Sequence, residues 1–432
     1  MSTMPEESSL APMQVFRRFL LADVLNWFAM MVGQVTIPWW ITVKNGVHDL
    51  AIYAITSAVV SCLAMPIMSA IGDRYNKRFL IQIGLATYML SAIAMALVAG
   101  HHYYDIHLIT LLEALAITGL ALVSPLASVI AADILPADLL TSGMQKQKLW
   151  QSIGQLGGPI VGGSALAFGG ITFSLSVQVA LIAISIVLIR RLPKSMPRVS
   201  DPIRQGTSKR TWFHELTAGA RAKWRIALER NWTIISFLVG ISLVPSIGML
   251  LPLKVHVMNL SGQWLGICEA AVSLGLLIGA AIGASSYLVS MIGRYRLRFI
   301  AMLLLGPALV LVGYSNTPVL MACALTAVGL MNSIVVMMGY SRRILATPHR
   351  FRTRMTAVNI MLTQVAAIIG PAIAGVGLLH WSIGSIYLVF GVSLLICSFG
   401  YMLTPDFRTF MSLDDREVNE WYGQRYPEAF ES

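Results

Sequence analysis

Three acidic residues lie inside long apolar stretches of this sequence. Asp23 stands in FLLADVLNWFAMMVGQV, Glu113 in HLITLLEALAITG and Glu269 in WLGICEAAVSL. A carboxylate in apolar surroundings loses hydration, which suits it to taking up and releasing a proton or to binding a cationic group. We therefore interpret all three as candidate proton or substrate sites. Asp23 could instead pair with Arg17 and Arg18 at the membrane edge, and either glutamate could contact outside water.

Neutral polar residues at helical spacing add further candidates. Gln147, Gln151 and Gln155 are four apart, so they share one face of a helix. Inside a membrane such residues also hydrogen-bond to neighbouring helices, and this alternative stays open. The other candidates of this kind are Asn26, Trp27, Gln34, Asn332, Asn359 and Gln364.

Histidines beside Asp105 in GHHYYDIH could bind a metal ion. Imidazole is readily tolerated in hydrated loops, so we predict no metal site and no cofactor. The segments predicted to lie on the outer side hold His48, His101, His102, His107, His256 and His380. The sequence contains no HExxH or GxSxG motif, so an enzyme is not expected.

The composition is that of a membrane protein. Of 432 residues, 56% are hydrophobic and 12% charged, and the mean hydropathy is +0.72, which is more apolar surface than a soluble fold buries. A hydrocarbon layer about 30 Å thick is crossed by about 20 helical residues. Twelve apolar stretches have that length, about 17–41, 50–71, 79–100, 107–133, 145–169, 171–190, 231–254, 264–290, 298–315, 317–341, 354–379 and 382–403. They predict an all-α membrane protein with twelve transmembrane helices in two pseudo-symmetric halves.

The distribution of basic residues predicts the orientation. Lys and Arg collect in cytoplasmic loops, and with a cytoplasmic N-terminus all of the 31 except Lys44 and Lys254 lie on that side. The even number of spans then puts both termini in the cytoplasm. The net charge of +11 is explained by this topology and by contact with anionic lipid, so we expect membrane lipid and no nucleic acid as a partner.

Polar intervals divide the chain into four parts. We predict a six-helix half over 1–190, a cytoplasmic linker over 191–230, a second half over 231–403 and a cytoplasmic tail over 404–432. The linker ends in an every-fourth-residue stripe, Trp212, Leu216, Ala220, Trp224 and Leu228, with Arg221, Lys223 and Arg225 off the stripe. This predicts a helix that lies on the inner leaflet or packs on the protein's own cytoplasmic face. The tail is acidic and aromatic, and either a partner or the helix bundle could bind it.

Several segments recur about 210 to 220 residues apart. GQLGGPIVGG at 154–163 is echoed by AAIIGPAIAGVG at 366–377, and IGDRYNKRF at 71–79 by IGRYRLRF at 292–299. A ladder of small residues precedes each of the two charged loops, and such ladders let helix backbones approach closely. The ladders are Ala54, Ala58 and Cys62 in the first half and Gly275, Gly279 and Gly283 in the second.

These segments resemble motifs of the major facilitator superfamily over roughly residues 15–403. SAIGDRYNKR is similar to its signature between the second and third helices, with Ser69 and Asn76 in glycine places. The resemblance implies a cytoplasmic gate formed by Asp73, Arg74, Lys77 and Arg78. The alternative for Lys77 and Arg78 is simple anchoring at the cytoplasmic surface.

A second resemblance is to the helix-five motif of antiporters in this superfamily. Its members here are Gly154, Gly158, Pro159, Gly162 and Gly163, and they predict a kinked, tightly packed helix. The glycine expected nine residues earlier is Gln145, and the arginine that proton-coupled drug antiporters carry in helix four is Leu115.

TIPWW, LPADLL and ELTAGARAKWRIALERN resemble the bacterial branch that includes enterobactin exporters and macrolide-efflux proteins. This implies a monomer in the bacterial inner membrane that exports a small organic molecule, a siderophore or drug-like compound, in exchange for protons. An importer or lipid flippase on the same fold is the alternative, and a non-transporting sensor or enzyme a more distant one.

Overall fold

The computed structural model describes residues 7–72, 77–135, 137–191, 209–414 and 417–430, and within these ranges the chain is helical, without a strand. The helices are α1 Glu7–Lys44, α2 Val47–Gly72, α3 Lys77–Gly100, α4 Ile106–Ile134, α5 Ala137–Arg190, α6 Lys209–Arg225, α7 Ala227–Gly248, α8 Leu250–Val257, α9 Gly262–Ala284, α10 Ser286–Ile292, α11 Arg294–Tyr314, α12 Pro318–Met337, α13 Tyr340–Ala346, α14 His349–Leu378, α15 Ile383–Leu403, α16 Phe407–Ser412 and α17 Trp421–Arg425. A short 3₁₀ helix, Pro427–Ala429, follows α17.

Eleven stretches of the described chain are long and apolar enough to cross a membrane. One of them, Ser142–Arg190, has 49 residues, far more than one crossing needs. It is interrupted at Gly170, whose backbone angles (φ 71°, ψ −164°) are accessible to glycine and not to residues with a side chain. Divided there, the eleven stretches become the twelve that hydropathy predicts, and the division falls between the predicted spans 145–169 and 171–190.

The described residues form two compact units. The first comprises the chain up to 191 together with Val255–Ala270, and the second comprises 209 to Lys254 and the chain from Ala271 onward. In the first unit α1 packs along α5, and α4 packs along α2 and α3. In the second unit α11 packs on α12 and α15, and α7 on α14 and α15.

Small residues bring helices close together in both units, as the sequence predicts. A Cβ atom on Gly158 of α5 would collide with the side chain of Met31 on α1. In the second unit a Cβ on Gly279 of α9 would lie 2.8 Å from the Cβ of Ser333 on α12. Close backbone approach therefore replaces large interlocking side chains at these contacts.

The α6 helix packs against α14 through a face that differs from the predicted stripe. Gly219 lies against Arg354, and Ala222 and Lys223 are buried, whereas Trp224 of the predicted stripe is 55% exposed. Lys223, which the sequence places off the stripe, turns inward to an acidic partner described below, and contact of the stripe with the inner leaflet stays a prediction. The buried face of α6 thus lies on the protein itself, and Trp224 faces outward.

The tail packs against its own unit. Arg342 donates to the carbonyl of Leu413 at 2.6 Å, and the Glu420 amide donates to the carbonyl of Leu345 at 2.9 Å. Phe410 stacks on Tyr422 with ring centroids 5.5 Å apart. Of the two alternatives that the sequence leaves open for the tail, the structure has packing against the bundle.

Candidate functional site

Asp23 on α1 is buried and accepts hydrogen bonds from two amides of α5. Gln147 Nε2 and Gln151 Nε2 lie 3.2 Å and 3.0 Å from Asp23 Oδ2. Gln147 also donates to the backbone carbonyl of Ala127 on α4 at 3.1 Å. The structure thus brings together one acid and two amides that the sequence offers as separate candidates.

The surroundings of Asp23 favour this amide cluster over pairing at the membrane edge. Arg17 and Arg18 are exposed, whereas Asp23 is buried among neutral donors. One turn along α1, Asn26 Oδ1 is buried, and no donor among the described residues reaches it. The cluster therefore has a spare acceptor that a donor group of a bound molecule could satisfy.

Gln155 and Trp27 lie beside this cluster without joining it, whereas Gln34 lies eleven residues beyond Asp23 on α1. Gln155 is half-buried one turn beyond Gln151, and Gln34 is exposed. Trp27 packs with its Cβ atom against Gly154 of α5.

Glu113 on α4 belongs to a second polar network of the first unit. The Tyr53 hydroxyl on α2 is hydrogen-bonded to the half-buried Glu113 carboxylate, and Tyr88 on α3 lies close enough to interact with it electrostatically. Gln178 Nε2, on the second arm of α5, donates to the Tyr88 hydroxyl at 2.8 Å. Four helices therefore contribute to the surroundings of this one carboxylate.

The position of Gln178 depends on a glycine of α1. A Cβ atom on Gly33 would lie only 2.6 Å from Gln178 Nε2, so a larger residue would displace this amide. Gln178 Oε1 is buried, and no donor among the described residues satisfies it. Like Asn26, it presents a buried acceptor next to a carboxylate-bearing network. Sequence reasoning missed Tyr53, Tyr88 and Gln178, because one tyrosine or glutamine in an apolar span is an ordinary packing residue.

The remaining four predicted candidates lie on three different helices, α9, α12 and α14. Glu269 on α9 is 7% exposed, and Asn332 on α12 and Gln364 on α14 are half-buried. Asn359 Oδ1 on α14 accepts from Arg343 at 3.4 Å. Of these four, Asn359 is thereby connected to a larger charged cluster.

That charged cluster centres on Glu229, in the first turn of α7. Lys223 Nζ on α6 lies 2.8 Å from Glu229 Oε2. Arg343 on α13 donates from Nε to Glu229 Oε1 at 2.9 Å and from Nη2 to Oε2 at 2.7 Å. The Tyr422 hydroxyl, from the tail, donates to Glu229 Oε1 at 2.7 Å. Arg343 also lies 4.7 Å from the centre of the Trp232 ring. Two cations and a phenol thus enclose one carboxylate that is 1% exposed.

The Glu229 cluster was not predicted from the sequence, because residues 191–230 have the composition of a linker and the tail could bind either a partner or the bundle. Glu229 follows Lys223 by six residues, which is no standard helical spacing, and a break at Ile226 separates α6 from α7. The available signal was the acid itself, placed at the start of an apolar span among several cations.

The antiporter-like motif of α5 is a packing surface. Gly154 and Gly158 face α1, and a Cβ on Gly162 would lie 3.1 Å from the Cα atom of Val32 on the same helix. A Cβ on Gly163 would lie 2.9 Å from the Cα of Gly266. Pro159 lies inside α5, and the non-helical backbone angles of α5 are at Gly170. The bending expected at Pro159 stays a prediction.

Most of the predicted cytoplasmic gate lies outside the described residues. This holds for Asp73 and Arg74 and for the side chain of Lys77. Arg78 donates from its guanidinium to the backbone carbonyl of Arg190, at the end of α5. Arg78 thereby connects the start of α3 to the last turn of α5.

Asp105 has a local structural role. Its carboxylate accepts from the backbone amides of His107 at 2.8 Å and Leu108 at 3.4 Å, which caps the start of α4. Tyr104 donates to Asp49 at 2.7 Å, and burial together with this carboxylate raises the pKa of Tyr104. Within the described ranges, no three or more His, Cys, Asp or Glu side chains are grouped so that they could hold a metal ion.

Comparison with known proteins agrees with this architecture. The family model of the Major Facilitator Superfamily matches residues 19–341. A variant of the nucleoside transporter NupG has a TM-score of 0.74 at 14% identity, with 90% of this chain and 100% of that chain covered. A bacterial homologue of the iron transporter ferroportin in its inward-facing state gives 0.69 at 14% identity, covering 93% and 99%. The D-xylose-proton symporter gives 0.66 at 14% identity, covering 94% and 100%.

A search of curated proteins gives no match. At 14% identity the structural likeness concerns the fold alone, whereas the family model spans well over half of the chain. The helical fold, the multiple apolar spans and this match together show that the chain is a multi-pass membrane protein that belongs to the major facilitator superfamily.

Proposed function

We propose that this protein is a secondary active transporter that exports a small organic molecule by alternating access, in exchange for protons. The observation that carries the proposal is the Glu113 network, in which a carboxylate inside a membrane span is contacted by Tyr53 and stands close to Tyr88. A carboxylate inside a span is costly and commonly marks an ion or substrate pathway. Its half-buried position leaves it accessible to a proton.

In this proposal Glu113 binds a proton in one part of the cycle and a cationic or hydrogen-bonding group of the substrate in another. When the substrate group leaves, proton uptake removes the uncompensated charge from the span. The Tyr53 hydroxyl can donate to the charged carboxylate and accept from the protonated one, so it serves both states. Exchange of one ligand for the other at a single carboxylate is the physical basis of antiport.

The acceptors around the two networks support the proposed substrate class. Asn26 Oδ1 and Gln178 Oε1 are buried acceptors unsatisfied among the described residues, and Asp23 adds a carboxylate. A molecule rich in N–H and O–H donors would satisfy them. The sequence resemblance to exporters of enterobactin and macrolides supports a siderophore or drug-like compound of this kind, carried out of the cytoplasm across the inner membrane.

The charged loop is proposed to act as the cytoplasmic gate. Asp73, Arg74, Lys77 and Arg78 match the superfamily signature, and Arg78 contacts the end of α5. Anchoring alone accounts for Lys77 and Arg78 but gives Asp73 no role. Replacing Asp73 by Asn is expected to slow transport while membrane insertion is unchanged, and unaltered transport would remove the gate assignment.

The direct test combines substrate discovery with one substitution. Untargeted mass spectrometry of medium and cells, with and without the gene and in iron-rich and iron-poor growth, should show a compound retained in the cells when the gene is absent. Transport of that compound into proteoliposomes is then measured from pH 6 to pH 9 with Glu113→Gln. We expect the substitution to abolish the pH dependence.

Glu269→Gln is the comparison variant for this experiment, since Glu269 is also a buried acid but lies outside the Glu113 network. A pH profile unchanged by Glu113→Gln would contradict the role of Glu113. Retention of no compound under either growth condition would contradict export itself and would favour an importer or a lipid flippase.

A further inference from the structure

A groove of about 270 Å³ runs along the start of the first span, between α1 and α5. Its floor is Phe16 and Leu20, which are 0% and 6% exposed, and its walls include Leu21 and Trp150, which are 48% and 39% exposed. The groove is therefore an exposed apolar surface between two helices of the first unit.

Two cations line the same groove. Arg17 on α1 and Lys146 on α5 are both exposed, and no carboxylate among the described side chains pairs with either of them. Lys and Arg at the end of a span can extend their apolar stems along the hydrocarbon while their charges reach the headgroup layer. Basic pockets between spans on the cytoplasmic side bind anionic headgroups. This end of α1 and α5 is the one that the distribution of basic residues assigns to the cytoplasm.

The combination specifies the chemistry of the occupant. An apolar trough suits an acyl chain, and Trp150 is a residue type favoured at the headgroup boundary. Two cations without a carboxylate partner among the described side chains suit a phosphate. A peptide segment would satisfy the apolar surface, but it would not explain why two cations and, among the described residues, no acid line the groove. We propose that the groove binds one anionic phospholipid of the inner leaflet, with its phosphate between Arg17 and Lys146.

A lipid in this position would connect the two helices that carry the Asp23 cluster. Lys146 is adjacent in sequence to Gln147, and Arg17 lies one and a half turns before Asp23 on α1. The bound phosphate would thus hold α1 and α5 together at the end of the pair that carries the Asp23 cluster. The proposal needs only the membrane location of the chain, so it does not depend on which molecule is transported.

The test is lipid binding by the intact, detergent-purified protein, measured by native mass spectrometry with added phosphatidylglycerol. The double variant R17Q/K146Q should bind about 30-fold more weakly, because each cation near an anionic lipid surface contributes about fivefold in affinity. The matched control is R18Q/K148Q. It removes one cation from each of the same helices, at exposed positions next to the groove but outside its lining.

Binding by R18Q/K148Q should remain within about threefold of the unaltered protein, allowing for the lost general surface charge. An equal loss in both double variants would overturn the proposal and assign the effect to overall charge. Equal binding of phosphatidylcholine would also overturn it, since an acyl-chain site needs no anion. If inorganic phosphate displaced the lipid at millimolar concentration, the site would be one for free phosphate and the lipid assignment would be wrong.

Discussion

Asp23 in the first unit and Glu229 in the second are both buried carboxylates near the start of a membrane span, and they have opposite kinds of partner. Asp23 is held by the amides of Gln147 and Gln151. Glu229 is held by the charges of Lys223 and Arg343. Neutral donors can reorient when a carboxylate takes up a proton, whereas two buried cations lose their counter-charge.

This difference separates a site that can change its charge from one that fixes a structure. Breaking a buried ion pair by removing one partner leaves an uncompensated charge in a low-dielectric interior. Around Glu229 that charge also orients α6, α13 and the tail, through Lys223, Arg343 and Tyr422. The Asp23 cluster, with a spare acceptor at Asn26, has the composition expected of a binding site.

The largest effect is expected from Glu229→Gln. The substitution leaves Lys223 and Arg343 buried without a counter-charge, so it should lower the free energy of unfolding by about 3–5 kcal/mol. The measurement is the thermal unfolding midpoint of the purified protein in detergent, together with its yield in the membrane. In the double variant E229Q/K223M, removal of one stranded cation should restore part of the loss. A midpoint for Glu229→Gln equal to that of the unaltered protein would contradict the structural role of the cluster.

A smaller loss is expected from Tyr422→Phe, which deletes only the hydroxyl. Burial and the charge of Glu229 raise the pKa of Tyr422, so the hydroxyl stays a donor throughout the physiological range. Loss of a hydrogen bond to a charged group costs about 1.5–3 kcal/mol. Tyr426→Phe is the matched control, since its hydroxyl donates to Asp406 at 2.9 Å in a half-buried place. Equal thermal unfolding midpoints of the two variants would mean that the hydrogen bond from Tyr422 to Glu229 stabilises the protein no more than the one from Tyr426 to Asp406.

Asp23→Asn should change stability less, by about 1 kcal/mol or below, because an amide oxygen can still accept from Gln147 and Gln151. If the proposed function is right, transport should nevertheless fall, since the neutral amide removes the negative charge that Asp23 adds to the substrate acceptors. Both quantities are measured on the same preparation, by thermal unfolding and by uptake into proteoliposomes. Destabilisation as large as that of Glu229→Gln would remove the distinction between the two carboxylates.

The comparison also explains which parts could be predicted from sequence. Span number follows from apolar length, and the break at Gly170 from a glycine between two such lengths. Asp23 and the glutamines of α5 can be recognised as polar residues in apolar sequence. Their hydrogen bonds depend on how α1 and α5 are rotated about their axes, which the local sequence does not determine. In the Glu229 cluster, the contacts of Arg343 and Tyr422 join residues more than 100 positions apart in the chain. The contact of Lys223 depends on the break between α6 and α7.

The smallest expected effect is on the pH dependence of stability. Burial lowers the pKa of Lys223 to about 8 from 10.5, in opposition to the attraction of Glu229. The unfolded chain, where the lysine has its ordinary pKa, therefore binds more protons than the folded one between pH 8 and about 10.5, so this residue's contribution to stability rises with pH across that window.

Unfolding midpoints at pH 7.5 and 9.5 should show a difference between the unaltered protein and Lys223→Met that favours the unaltered protein more at the higher pH. The exposed Lys148→Met is the control and should show no such difference. A pH-independent difference for Lys223→Met would mean that the lysine stays fully charged beside Glu229, so that Coulomb attraction outweighs burial in the charged cluster.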